Sequence, residues 1–139
     1  MLPIRYAPYS LSDKNRKRQL KLLKKSRDLY KKHRYFTRPK ISSYPVKVSR
    51  HILKARKMYG INKVTPSREL ARKTGCTVSA LRQIVRKGEG AYYSSGSRPS
   101  QTPQSWGLAR LASAITGGKA SVVNRKILEK GCTRLRTPK

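Results

Sequence analysis

The sequence predicts a mainly α-helical protein, with a small helical core, a helix-turn-helix-like unit within it, and extended basic and aromatic arms. Three observations carry this expectation. Apolar residues recur at spacings of three, four and seven, capping residues and glycines bracket those runs, and no run alternates with the two-residue period of a strand. A chain of 139 residues with 36% hydrophobic and 7% aromatic content supports one modest core.

The elements follow in order. Residues 1–10 hold Pro3, Tyr6, Pro8 and Tyr9, a composition suited to an extended arm. Ser12 is an N-cap, with Asp13 in the first turn, for a long basic helix. Its Leu20, Leu23 and Tyr30, with Leu22 and Leu29 beside them, form one narrow apolar stripe. Thr37 to Val48, with Pro39 and Pro45, reads as a linker or a second extended stretch. Ser49 caps a short helix carrying Ile52, Ala55 and Tyr59, and Gly60 ends it. Thr65-Pro66 opens the next helix and Gly75 stops it. Thr77 caps VSALRQIVRK, which ends at Gly88. Ser105 caps WGLARLASAIT before Gly117-Gly118, and Ser121 caps VVNRKILEK before Gly131. The expected division is a basic arm and helix over 1–48, a helical core over 49–88, and a Gly/Ser/Tyr loop, helical pair and basic tail over 89–139.

Ser67 to Lys87 has the pattern of a helix-turn-helix. Ala71 is small where two helices cross, Gly75 sits four residues on in the turn, and Leu81 and Ile84 return to the core, flanked by Leu70 and Val85. Ser79, Arg82, Gln83 and Arg86 then face outwards. Arginine and glutamine can read guanine and adenine edges, while Arg86 and Lys87 can meet phosphates. A helical hairpin that packs and reads nothing has the same spacing.

Charge narrows the partners. Thirty-five Lys and Arg against five acidic residues leave a formal +30 that Asp13, Asp28, Glu69, Glu89 and Glu129 cannot offset. Such a chain needs a polyanion or an acidic protein surface. In the first helix, Arg16, Lys17, Arg18, Lys21, Lys24 and Lys25 are candidate phosphate contacts. The stretch from Ala91 to Gly118 is different, with Arg98 and Arg110 as its basic residues. Electrostatics does not explain it. It reads as an anion nest of Ser94, Ser95, Ser97 and Arg98, as a loop capping the chain's own core, or as a wedge into neighbouring proteins. On the last reading Tyr6, Tyr9, Tyr92, Tyr93 and Trp106 are protein-contact anchors.

Enzyme chemistry is not expected. The acids form no paired carboxylates, His33 and His51 lie far from the serine cluster in sequence, and Gly117-Gly118-Lys119 lacks the full spacing of a phosphate-binding loop. Cys76 and Cys132 can pair with each other, but with two histidines they make no zinc-ligand spacing. No catalytic residue, cofactor, metal or small-molecule substrate is expected. MLPIRYAPYS lacks the apolar run of a signal peptide, and no window approaches a membrane span.

The block KGEGAYYSSGSRPSQTPQSWGLARLASAITGGKA closely resembles the signature of a small basic protein family of large double-stranded DNA viruses, the giant and algal viruses, with relatives in phages. The likeness extends through YAPYSLSDKNRKRQLKLLKKSRDLYKKHRYFTR, GCTVSALRQIVRKG and ILEKGC. It implies a structural component of the virion, assembled in the infected host cell, with no catalytic residues. The expected role is a minor capsid protein that links capsid subunits on the inner face of an icosahedral shell, with major and minor capsid proteins as partners. The alternative is a DNA-binding protein that packages the viral genome. An anionic inner membrane surface is a further possible contact.

Overall fold

A computed structural model describes residues 3–41, 43–44 and 48–133. The described residues are mainly helical, with no named strand. A 3-10 turn at Ile4–Tyr6 precedes α1 (Asp13–Lys31), α2 (Arg50–Tyr59), α3 (Arg68–Thr74), α4 (Val78–Ser94), α5 (Pro103–Ile115), α6 (Lys119–Val123) and α7 (Arg125–Gly131). Pro45 of the expected linker and the basic tail beyond Thr133 lie outside the described residues.

Two compact units result: Met1–Lys47 with Glu89–Trp106, and Val48–Gly88 with Gly107–Lys139. The expected separate segment 89–139 is therefore divided at Trp106, and the boundaries fall inside α4 and α5. The physical reason lies in Gly88, which does not end its helix. It sits where a side chain would meet the Cα of Gly107 at 2.6 Å, so its missing Cβ serves a close helix crossing while α4 runs on to Ser94.

In the first unit, Ser12 caps α1 by accepting from the Asn15 amide at 3.2 Å. The inward stripe of α1 includes Gln19, Leu23 and Ser26, all buried, so two of its positions are polar. Each polar group has a backbone acceptor: the Gln19 amide donates to the Tyr6 carbonyl, and the Ser26 hydroxyl to that of Phe36. The N-terminal segment is tied down rather than extended, with Tyr6 and Ala7 buried. Gly96, at φ 121°, fits against Leu23 and Tyr6, where a Cβ would come within 2.8 Å of Leu23.

The second unit buries Ala55, Tyr59, Ile61, Val64, Leu70, Leu81, Ile84, Leu111, Ala112, Ala114, Ile115 and Leu128 in one cluster. Ser49 caps α2, and Gly60 and Gly75 close α2 and α3 in the left-handed conformation. Two expected caps shift. Ser67, not Thr65, caps α3 by accepting from Leu70. Thr102, not Ser105, caps α5: the Ser105 amide donates to the Thr102 hydroxyl and the Thr102 amide donates back to the Ser105 hydroxyl, with Pro103 at the first helical position. Ser121 lies within α6 and its hydroxyl donates to Gly118.

Candidate nucleic-acid interface

A short turn joins α3 to α4. Gly75 adopts φ 75°, the Thr77 hydroxyl accepts from the Ala80 amide at 3.1 Å, and Leu70, Leu81 and Ile84 are fully buried. This burial fixes the rotation of α4. Ser79, Arg82, Gln83, Arg86 and Lys87, spaced three, four, seven and eight residues from the first, are all exposed on the opposite face. The Gln83 amide donates to the Ser79 hydroxyl at 3.3 Å.

Cys76 and Cys132 form a disulfide across an isolated antiparallel bridge. Around it, the Thr77 amide donates to the Gly131 carbonyl, and the Thr133 amide to that of Gly75, each at 2.8 Å. The turn before α4 is thereby fastened to the end of α7. Spacing in the sequence allowed this pairing without requiring it.

In the first unit, the exposed side of α1 carries Lys14, Lys17, Arg18, Lys21, Lys24 and Lys25, with Asp28 further along it. Lys25 places its ammonium 4.5 Å from the centre of the Phe36 ring. Arg16 departs from the expected phosphate-facing role. It is half-buried, its Nε donates to the Ala7 carbonyl at 3.0 Å, and its guanidinium lies over the Tyr9 ring, so it secures the N-terminal segment. Among the described residues the one salt bridge is Arg125–Glu129 at 3.4 Å, so the exposed cations of α1 and α4 have no acidic partner there.

The expected protein-contact aromatics separate. Tyr92 is completely buried and Tyr6 nearly so, which removes both from any contact surface. Trp106 is half-buried and meets Tyr6 edge-on at 5.9 Å, and Tyr93 is half-buried and stacks on Tyr30 at 6.2 Å. Tyr9 alone of the five is largely exposed. The other proposed donors also divide, since Ser97 is buried while Ser94, Ser95 and Arg98 are exposed.

Sequence reasoning missed Arg38. The basic run from Lys31 to Lys40 reads as a phosphate-binding stretch, but Arg38 within it is buried, with Nη1 donating to Ser26 and to the Tyr92 carbonyl and Nη2 donating to Ser97 at 2.7 Å. Burial pulls its pKa below the ordinary arginine value. Its neighbours Arg34 and Lys40 are exposed, and nothing in the composition of the run distinguishes the three.

Among the described residues no group of three His, Cys, Asp or Glu side chains is placed to hold a metal, and no helix is long and apolar enough to cross a membrane. A family model described as a family of unknown function (DUF5824) matches residues 3–130. Comparisons with curated proteins and with solved structures give no match.

Proposed function

The chain belongs to this family of unknown function, and from its exposed faces we propose that it is an architectural protein that binds and organises duplex DNA. The carrying observation is the outer face of α4, where Ser79, Arg82, Gln83, Arg86 and Lys87 stand on a helix whose rotation and N-terminus are both fixed. An α-helix fits the major groove of B-form DNA, where Arg82 and Gln83 have base edges to meet and Arg86 and Lys87 have phosphates. The major groove of A-form RNA is too deep and narrow for such a reader. In the other unit, the 19 residues of α1 span about 28 Å, long enough to follow a phosphate backbone.

The setting we propose is the virion of a large double-stranded DNA virus, with the packaged genome as partner. A role as a wedge between capsid subunits loses support because Tyr6 and Tyr92 are consumed internally. Capsid contact remains a second reading, favoured by the exposure of Ile4, Tyr9 and Tyr35 on the first unit.

The test is fluorescence anisotropy with a DNA duplex across a salt series. Contact with six to ten phosphates gives a log-log slope of roughly -5 to -9. Arg82→Ala with Arg86→Ala should weaken binding on the order of tenfold or more, at about 1–3 kcal/mol for a base-reading arginine. Unchanged affinity would remove α4 from the interface, and no affinity for duplex at low salt would end the proposal.

A further inference from the structure

Beside α4 lies an open groove of about 320 Å³, lined by Thr77, Ala80, Gln83, Lys126, Ile127, Lys130 and Gly131. We propose that this groove seats the sugar-phosphate backbone of the duplex that α4 reads, with Lys126 and Lys130 as its cationic wall. The inference rests on the DNA-binding reading and adds α7 to the contact surface.

Four features point to a backbone phosphate as occupant. Lys126 and Lys130 are four residues apart on α7, so they share one face, and both are exposed. The acid between them in sequence, Glu129, pairs with Arg125 and leaves both ammonium groups without an acidic partner among the described residues. Gln83 belongs both to the groove and to the outward face of α4, so the two surfaces are continuous. Finally, no aromatic ring among the described residues lines the groove, which leaves a base nothing to stack on and favours the charged backbone.

The helix that carries the lysines is also held in place relative to α4. The disulfide, the Thr77–Gly131 hydrogen bond and the packing of Gly131 on Ala80, where a Cβ would lie 2.3 Å from that of Ala80, fix the end of α7. Ile127 packs against the core and Leu128 lies within it, which sets the rotation of α7. A preorganised pair of cations loses less entropy on binding than a free arm does.

The experiment compares three oxidised full-length proteins on a 20-base-pair DNA duplex by anisotropy over a salt series: wild type, Lys126→Ala with Lys130→Ala, and Lys54→Ala with Lys57→Ala. Lys54 and Lys57 are exposed on α2 outside the groove, so the third protein loses equal charge elsewhere on the same unit. The groove variant should lower the magnitude of the salt slope by about 1–2 and weaken binding roughly 8- to 60-fold at 0.1 M salt, because each phosphate contact contributes about 0.9 to the slope. The control should lose less than about threefold, through long-range charge alone. Equal losses in both variants, or an unchanged slope in the groove variant, overturn the groove while leaving DNA binding by α4 intact. Failure of the wild type to bind duplex overturns both readings, and tight binding to an acidic polypeptide in its place assigns the cations to a protein partner.

Discussion

The guanidinium of Arg38 lies 3.9 Å from the centre of the Tyr92 ring, and the Arg38 amide donates to the Tyr92 hydroxyl at 2.8 Å. One tyrosine thus satisfies both the backbone and the side chain of a buried arginine that has no salt-bridge partner among the described residues. Tyr92→Phe keeps the ring and removes the acceptor, leaving a buried N–H unpaired. The expected cost is about 1–3 kcal/mol, read as a lower urea midpoint with an unchanged slope.

The same hydroxyl predicts an alkaline limb in stability. Burial raises the Tyr92 pKa above its usual 10.0, and the Arg38 charge offsets part of that rise. Above pH 10 the unfolded phenol loses its proton before the folded one does, so the unfolded state binds fewer protons and stability falls. The contribution is complete below pH 10 and is lost as pH rises through the folded value. Melting temperatures from pH 8 to 11 should fall more for wild type than for Tyr92→Phe, and parallel curves would reject the assignment.

Two glycines of one helix should respond with opposite signs. A Cβ at Gly88 meets the Gly107 backbone at 2.6 Å, whereas one at Gly90 has nothing within 4 Å. Gly88→Ala should destabilise by about 1–3 kcal/mol through overpacking. Gly90→Ala should stabilise by roughly 0.5–1 kcal/mol, the usual helical preference for alanine. Thermal melts of the two variants decide it.

Reduction should loosen the second unit. The Cys76–Cys132 bridge closes a sequence separation of 56 residues, for which loop entropy gives about 4 kcal/mol. Cys76→Ala with Cys132→Ala should lower the urea midpoint and make it insensitive to dithiothreitol, whereas wild type should fall to a similar value only when reduced. A wild-type midpoint that ignores reductant contradicts this.

Much of the helical order was legible because its signals are local. Ser12, Ser49 and Thr77 cap where their spacing to an apolar run says they should, and Gly60 and Gly75 stop helices because they take positive φ. The outward residues of α4 were readable for the same reason, since Leu81 and Ile84 fix the helix phase. What failed depends on contacts distant in sequence. Gly88 looks like a stop until Gly107 is beside it, Arg38 looks like its exposed neighbours until Ser97 and Tyr92 surround it, and Tyr92 looks like an anchor for another protein until Arg38 fills its place. Lys126 and Lys130 carry no motif, and only the fastening of α7 to the turn before α4 gives them a role.

The discontinuity of the second unit bears on how the α3–α4 segment can be handled. Residues 48–88 contain α3 and α4 as far as Gly88, yet Leu111, Ala112, Ile115 and Leu128, which complete their apolar cluster, arrive only after the Glu89–Trp106 excursion. The motif is therefore not a portable cassette: excised alone, it would expose the side of α4 that should be hidden. On a ribosome, α4 must wait for Leu128 and Cys132 to emerge before its last supports close.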